Sequence, residues 1–406
     1  MPVNKTERWL RLALGVVVLL FAGIIYSWSI LKYPFGTEFG WDAGQLGLNA
    51  TLTICFFCIG GFITGLMSKK TSPRVRLLIS AVLLFAGFFG TSLLDGSSVA
   101  LLYISYGVVA GIGIGFAYNT VISVTGAWFP DKKGLCSGVL MMGFGLTSLI
   151  IGKVADGMMR SETIGWRKTY LVLAIAIGAV LLVAALFIKP PREGTVFPTP
   201  KTAGKRAAES ETVVRDYTAT EMVRRKSFWL LFAFITLIAA VGCTAVSFVT
   251  DIIKEVGGGE SFAVTAAGLL SIFNGLGRLV TGALFDALGR RKTQYVMSAF
   301  AIAAPTTVVV ALVTSSLPLG IIGMALCFFS YGFAPTTSSA FASAFFGQKN
   351  FSLNFSIVNL ILIPAPFAAT LAGNLYKSSG NFISTFIILI GCSVVGLVVN
   401  LALKKP

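Results

Sequence analysis

The chain has 406 residues, of which 55% are hydrophobic and only 12% are charged, and its formal net charge is +16 at pH 7. A water-soluble domain of this length would need far more surface charge, so the composition excludes a large one. We also exclude nucleic acid as a partner, because the basic residues fall between long apolar runs, where membrane topology explains them.

The apolar runs predict an all-α membrane protein with twelve transmembrane helices, since about 20 apolar residues cross the hydrocarbon core. In chain order, the first six predicted spans are 10–32, 44–67, 75–94, 98–124, 134–154 and 169–188. The last six are 228–250, 262–285, 293–314, 318–346, 353–375 and 382–403. We therefore predict an N-terminal six-helix bundle over 1–188, a cytoplasmic linker over 189–226 and a C-terminal six-helix bundle over 227–406.

The distribution of Lys and Arg predicts the orientation in the membrane. Of the 32 basic residues, 24 fall on the side shared by both termini and the linker, seven fall on the opposite side, and Arg278 is left over. Because cytoplasmic loops carry the excess of basic residues, both termini are predicted to be cytoplasmic. We expect the protein to lie in the inner (plasma) membrane.

The inventory of reactive side chains argues against an enzyme. The chain has no His, and its six cysteines all fall in apolar runs. Cys55 and Cys58 form a CxxC pattern inside a helix-like stretch, where packing is a better explanation than redox chemistry. We predict no catalytic residues, no metal and no cofactor.

The loop after predicted span 8 reads GALFDALGRR, which matches the GxxxDxxGRR signature of the major facilitator superfamily. The matching residues are Gly282, Asp286, Gly289, Arg290 and Arg291. The loop after span 2 keeps Gly65 and Arg74 but lacks the acid and the second glycine. The chain thus resembles this superfamily, which implies two pseudo-symmetric six-helix bundles and a central cavity. The signature residues then have gating and packing roles, and Asp286 would pair with a neighbouring Arg or cap a neighbouring helix.

Two further stretches resemble the oxalate–formate antiporter family, which is related to the monocarboxylate transporters. Residues 128–138 read WFPDKKGLCSG and are similar to that family's loop between helices 4 and 5. Residues 273–278 read FNGLGR and are similar to its helix 8, where an Arg binds the substrate carboxylate. The resemblance covers nearly the whole chain and implies a small carboxylate anion as the substrate.

Arg278 is the candidate ligand for such an anion. It lies in the middle of predicted span 8, where an ionised side chain is costly and marks a functional site. All sixteen Asp and Glu lie in loops or near helix ends, which argues against the alternative of a buried ion pair. The guanidinium also stays charged, and its planar fork matches a carboxylate.

Polar residues on other spans are candidates to complete the site. By the family's pattern, Tyr26 and Tyr118 match substrate-cavity tyrosines, while Tyr331 stands where the oxalate transporter has a Trp. A phenol can donate a hydrogen bond to a carboxylate and still line an apolar wall, although packing of each ring is the alternative. The full predicted substrate-binding set is Arg278, Tyr26, Tyr118, Asn119, Asn274, Tyr331 and Asn359.

The sequence departs from both related families. The oxalate transporter has a second cation, a Lys, on helix 11, but residues 354–362 contain none, and the equivalent position falls near Leu362. Ile25 also replaces a polar family residue, and both changes favour a monoanion. The monocarboxylate transporters have an acid one turn before the Arg, where Asn274 stands here. Asp251 is the remaining candidate proton carrier, although an ordinary loop carboxylate is the preferred interpretation.

Three hypotheses follow from these observations. The leading one is a secondary transporter that moves a monocarboxylate such as lactate, pyruvate or formate by uniport, anion exchange or proton symport. An oxalate-type dicarboxylate/formate exchanger is the first alternative. The second alternative is a membrane receptor that binds an anion without transporting it. The predicted partners are the small carboxylate, the lipid bilayer and, for symport, protons.

Overall fold

The computed structural model describes residues 5–192, 194–198 and 215–404, and the elements in this part of the chain are all helices. Twelve of the described helical segments are long and apolar enough to cross a membrane, as predicted. Spans 1 to 6 are Thr6–Phe39, Gly44–Met67, Pro73–Ser92, Val99–Gly126, Lys133–Arg160 and Gly165–Phe187. Spans 7 to 12 are Lys226–Glu255, Glu260–Leu288, Arg290–Thr314, Leu317–Phe346, Phe351–Ser379 and Ile383–Ala402. Residues 199–214 of the predicted linker lie outside the described residues.

Local sequence signals set where several spans begin and end. Span 2 follows Asp42, whose carboxylate accepts a hydrogen bond from the backbone N–H of Gln45 at 2.8 Å. Ser72 caps span 3 similarly, and a proline follows it at the first helical position, where its missing N–H costs nothing. Span 1 runs past its predicted end and stops at Gly40, whose φ of 66° ends the helix.

Three interruptions of the spans carry or adjoin candidate residues. Span 1 contains a 3-10 turn, Gly23–Ser27, which includes Tyr26. Span 11 contains a second 3-10 turn, Asn359–Leu362, which begins at a candidate ligand. Gly332 divides span 10, and the helix before it ends at Tyr331. Irregular turns inside spans leave backbone groups outside the regular hydrogen-bond ladder and often mark functional sites.

The other irregularities lie in spans 4, 5 and 7. Phe248 has a non-helical backbone (φ −123°, ψ 18°) and bends span 7. The π-helical turns of spans 4 and 5 are Tyr103–Ala110 and Ser148–Gly152. Before span 7 the described end of the linker forms one short helix, Ala219–Val223.

Residue contacts divide the chain into two units, each with its own core. The first unit comprises the described residues within Met1–Asp131, Gly143–Lys201 and Phe351–Ile357, and the second comprises those within Lys132–Met142, Thr202–Asn350 and Val358–Pro406. The core of the first unit is rich in aromatic rings, with Trp28 and Tyr106 only 4.6 Å apart. The core of the second unit is mainly aliphatic and includes the fully buried Val241 and Val308. The predicted domain boundaries at residues 188 and 227 stay predictions.

Candidate functional site

The guanidinium of Arg278 is buried in the second unit, and the residue is only 1% exposed. Its Nε donates a hydrogen bond to Oδ1 of Asn274 at 3.2 Å, and its Nη1 donates to the carbonyl oxygen of Met141 at 2.8 Å. Both of these acceptors are neutral, so the two bonds orient the guanidinium without cancelling its charge. Burial strengthens the attraction of such a charge for an anion, because little water screens it.

Close backbone packing holds the turn around Arg278 in place. A methyl group at Gly277 would collide with the carbonyl oxygen of Phe329, and one at Gly332 would lie 2.7 Å from the backbone nitrogen of Arg278. The hydroxyl of Thr336 donates a hydrogen bond to the carbonyl oxygen of Arg278 at 3.2 Å. Spans 8 and 10 therefore touch at the level of the buried cation, which restricts its movement.

Tyr331 adjoins this packed region, because it immediately precedes Gly332 in span 10. Its ring is half-buried and lies against Gly242 of span 7, where a methyl group would collide with it. The tyrosine side chain also shares a hydrogen bond with the Cys243 thiol. Tyr331 is therefore held on the span 7 side of its own helix, and its role as a substrate ligand stays a prediction.

The remaining candidates of the second unit lie in spans 7 and 11. Asn359 is 5% exposed and packs near span 7 at the start of its 3-10 turn. Asp251 is exposed in the last turns of span 7, where Lys254 forms an ion pair with Glu260 at 2.9 Å. The exposure of Asp251 fits an ordinary surface carboxylate, and a proton-carrying role for it stays a prediction.

The two candidate tyrosines of the first unit contact one shared ring. The ring centroid of Phe144 lies 5.5 Å from that of Tyr26 and 4.9 Å from that of Tyr118. Tyr118 also contacts Phe57 at 5.2 Å and stacks on Phe355 at 5.8 Å. The structure therefore brings Tyr26 and Tyr118 together in one aromatic cluster, although the sequence places them on different spans.

Asn119 uses its side chain to join three helices within the first unit. Its amide nitrogen donates to the carbonyl oxygens of Gly61 at 3.2 Å and Ser352 at 3.0 Å. Its amide oxygen accepts a hydrogen bond from the Ser352 hydroxyl at 2.5 Å. A substrate would have to compete with these bonds, so the described geometry favours a packing role, while the predicted substrate contact stays a prediction.

Asp286 caps the beginning of span 5, which is one of the two roles expected for it. Its carboxylate accepts hydrogen bonds from the backbone N–H groups of Gly134 at 2.9 Å and Leu135 at 2.8 Å. Gly282 lies so close to Gly134 that a methyl group on it would collide with the Gly134 carbonyl oxygen. An anion at the positive end of a helix is stabilised, and the glycines allow the two backbones to approach.

The other residues of the loop signature have separate positions. Gly289 joins spans 8 and 9 with a φ of 73°, which an L-residue rarely adopts. Arg290 lies over the ring of Phe345 at 4.9 Å, whereas Arg291 is exposed.

The corresponding loop after span 2 keeps two of the signature residues, Gly65 and Arg74. A methyl group at Gly65 would lie 2.9 Å from the Cα of Leu353, so this glycine permits close helix approach. Arg74 is exposed in the first turn of span 3.

The family-like stretch that begins at Trp128 anchors the start of span 1 within the first unit. Arg8 forms a buried ion pair with Asp131, and its guanidinium lies 4.0 Å from the ring centroid of Phe129. Arg11 lies 4.5 Å from the ring centroid of Trp128. These contacts engage both aromatic rings and the acidic residue of this loop, and they point to a structural role for its first part.

Sequence analysis missed Phe144 and Met141. Phe144 has a weak sequence signal, because it is flanked by two glycines inside a span. Met141 acts through its backbone carbonyl, so its side chain carries no signal at all. Within the described residues, no group of three or more His, Cys, Asp or Glu side chains comes together that could hold a metal ion.

Comparison with solved structures identifies the class of fold. The structure is similar to that of the E. coli fucose:proton symporter FucP, with a TM-score of 0.70 and 14% identity over 98% of this chain and 100% of that one. The family model of the Major Facilitator Superfamily matches residues 12–363. The chain therefore belongs to the major facilitator superfamily.

Two relatives carry names that describe their substrates. The oxalate:formate antiporter of Oxalobacter formigenes is 27% identical over 351 residues, which cover 84% of this chain and 79% of the antiporter. Monocarboxylate transporter 12 of Homo sapiens is 23% identical over 383 residues, which cover 89% of this chain and 73% of that protein. The resemblance to these two families is thus confirmed at modest identity.

These findings confirm the predicted fold class, an all-α membrane protein with twelve spans and the major facilitator fold. The chain is a multi-pass membrane protein and a transporter of this family, which agrees with the prediction that it is not an enzyme.

Proposed function

We propose that this transporter moves a small monocarboxylate across the inner membrane by alternating access. The observation that carries the proposal is the buried guanidinium of Arg278, held in place by Asn274 and a backbone carbonyl oxygen. A carboxylate that enters such a site loses its hydration, and an Arg can return two charge-assisted hydrogen bonds at once. The named substrates of the two relatives support the choice of a carboxylate.

The preference for a monoanion rests on the number of cations available to the substrate. Span 11 has no Lys in residues 354–362, and Leu362 is a half-buried residue at the end of the 3-10 turn. A dianion would meet only one fixed positive charge at Arg278, and its second carboxylate would be desolvated without a partner. The oxalate:formate antiporter relative keeps dianion exchange as the second candidate.

Tyr26 and Tyr118 form one aromatic cluster with Phe144 within the first unit, and their contact with the substrate stays a prediction from the family's pattern. Phenol hydroxyls can donate to a carboxylate, while the rings provide an apolar wall for a short aliphatic body. Asn274 occupies the position of the acid found in the monocarboxylate transporters, so proton symport would need another carrier such as Asp251, whereas uniport and anion exchange need none.

The experiment is uptake by the purified protein in proteoliposomes, with labelled lactate, formate and oxalate compared in one assay. We expect uptake of one or both monocarboxylates in excess of protein-free liposomes, and weaker uptake of oxalate. Preference for oxalate would contradict the monoanion proposal and favour the exchanger. Saturable binding without any uptake would identify a receptor instead.

A substitution in span 11 tests the charge argument separately. We expect Leu362→Lys to shift the preference towards oxalate, because it restores a second cation where the oxalate transporter has one. A control variant, Leu401→Lys, adds the same charge at an exposed position of span 12. Equal selectivity in both variants would show that the charge count does not decide which anion is carried.

A further inference from the structure

The segment from span 2 to span 3 is basic and lacks acidic residues. Between Asp42 and Asp95 the sequence has no Asp or Glu, but it has Lys69, Lys70, Arg74 and Arg76. The first three of these cations are exposed, and all four lie near the N-terminal end of span 3. The backbone N–H groups at this helix end add further positive potential. The local charge therefore favours an anionic ligand.

Arg76 differs from the other three cations because it is buried. It is 4% exposed, and its Nε and Nη1 have no hydrogen-bond partner within the described residues. Burial of a guanidinium without partners for its donors is costly, whereas an anion with several acceptor oxygens would satisfy them. The need for a partner at this position is the second observation that points to a ligand.

A second buried polar group lies on the neighbouring helix. The Ser80 hydroxyl donates to the Gly113 carbonyl oxygen at 2.7 Å, which sets the register of spans 3 and 4. Thr120 lies on the same face of span 4 as Gly113, two turns further on, while Arg76 lies one turn before Ser80. Since the two helices are antiparallel, Arg76 and Thr120 both lie towards the same end of spans 3 and 4, on one side of the Ser80–Gly113 hydrogen bond. The Thr120 hydroxyl is buried and also has no partner among the described residues.

An apolar groove lies along span 3, the helix that carries Arg76. It has a volume of about 320 Å³ and is lined by Val75, Leu78, Ile79, Val82 and Leu83. Arg76, Ile79 and Leu83 follow one another at helical spacing, so the buried cation stands at the end of the stripe that borders the groove. A charged end and an apolar groove in this order match the headgroup and acyl chain of a phospholipid.

We propose that this region is a binding site for an anionic phospholipid. Arg76 and Arg74 hold the headgroup phosphate, the Thr120 hydroxyl donates to it, and one acyl chain lies in the groove along Ile79 and Leu83. The predicted topology puts this end of span 3 at the cytoplasmic leaflet, whose anionic lipids attract clustered Lys and Arg. The proposal does not depend on the proposed substrate.

The test is direct measurement of lipid binding to the purified protein by native mass spectrometry in mild detergent. The probes are phosphatidylglycerol, phosphatidylcholine and glycerol 3-phosphate. We expect phosphatidylglycerol to bind most tightly, because phosphatidylcholine carries a compensating cation and glycerol 3-phosphate lacks an acyl chain. Arg76→Gln should weaken phosphatidylglycerol binding about tenfold, which corresponds to about 1.4 kcal/mol.

Matched variants separate this site from general attraction to a basic surface. Lys292→Gln removes an exposed cation from the first turn of span 9 and should leave phosphatidylglycerol binding unchanged. Arg74→Gln, at an exposed position, should weaken phosphatidylglycerol binding by a smaller factor than Arg76→Gln. It tests the same site if the Arg76 variant does not fold. Ile79→Trp should weaken phosphatidylglycerol binding by filling the groove but leave glycerol 3-phosphate binding unaffected.

Three outcomes would overturn the proposal. Equal phosphatidylglycerol binding by the wild type, Arg76→Gln and Arg74→Gln would show that these cations are not ligands. Binding of glycerol 3-phosphate as tight as that of phosphatidylglycerol would indicate a site for a soluble phosphate. An equal loss in Lys292→Gln would indicate non-specific attraction to the basic surface.

Discussion

At the scale of single residues, the substrate argument depends on the chemistry of Arg278. A lysine at this position would keep a charge but would lose the planar fork, and a buried ammonium can release its proton. The bonds to Asn274 and Met141 also use the geometry of a guanidinium, because they engage two of its nitrogens at once. We therefore expect that even a lysine cannot replace Arg278 in binding the substrate.

We predict that Arg278→Lys and Arg278→Gln both bind the transported monocarboxylate much more weakly than the wild type. Loss of one member of a buried charged contact costs about 2–5 kcal/mol, which is roughly a thirtyfold to several-thousandfold loss of affinity. The measurement is equilibrium binding to purified, folded protein. Lys254→Gln is the control, since it removes an exposed cation of a surface ion pair. Near-normal affinity in either Arg278 variant would show that this residue is structural.

Asn274 offers a second prediction, which concerns pH. In Asn274→Asp, a carboxylate would replace the amide whose oxygen lies 3.2 Å from the Nε of Arg278. An ionised Asp would neutralise the guanidinium and weaken anion binding, while a protonated Asp would not. Because the adjacent guanidinium favours the ionised carboxylate, this variant should bind the anion more weakly than the wild type near neutral pH, and the difference should shrink only where a falling pH protonates the carboxylate.

The measurement for this variant is substrate affinity between pH 5 and pH 8, in parallel with the wild type. Asn400→Asp is the matched control, because it makes the same chemical change at a buried asparagine of span 12 in the second unit that is not a candidate ligand. If Asn274→Asp had the affinity and pH profile of the wild type, the anion would not be bound at Arg278.

At the scale of helices, the contact of Asp286 with span 5 joins elements that are distant in sequence. Two N–H groups at the start of span 5 have the Asp286 carboxylate as their acceptor. The close approach of Gly134 and Gly282 puts the carboxylate within reach of both groups. The loop signature thus acts through backbone geometry as much as through charge.

We predict that Asp286→Asn lowers the free energy of unfolding by about 1–2 kcal/mol, as expected for loss of a charged helix cap. The amide has one acceptor oxygen and no charge, so it cannot replace both bonds. The measurement is thermal unfolding in detergent. Asp156→Asn is the control, because its carboxylate forms only an exposed ion pair with Arg160. Equal stability of the two variants would mean that the cap contributes little.

At the scale of the whole molecule, the charge distribution predicts topology. We expect reporters fused within the linker and at the C-terminus to lie in the cytoplasm, because 24 of the 32 basic residues are on that side. A reporter in the loop between spans 5 and 6, near Glu162, should lie on the opposite side. A linker reporter outside the cell would contradict both the charge argument and the inner-leaflet position of the lipid site.

The number of spans and their approximate ends were determined by the sequence alone. A bilayer requires a nearly constant length of apolar chain for each crossing, so span 2 could be predicted with the bounds that the structure gives it, Gly44–Met67. Arg278 could be singled out for a related reason. A charge inside an apolar run is conspicuous in one sequence, because lipid makes it costly wherever the helix points.

Only the tertiary structure decided which groups surround each candidate. The partner carbonyl of Arg278, the Phe144 ring between two tyrosines, and the Gly134 N–H beneath Asp286 all join distant parts of the chain. In a soluble protein, a polar stripe would reveal which face of each helix is exposed. Transmembrane helices are apolar on nearly every side, so their rotation depends on small-residue packing and backbone contacts that leave almost no pattern in the sequence.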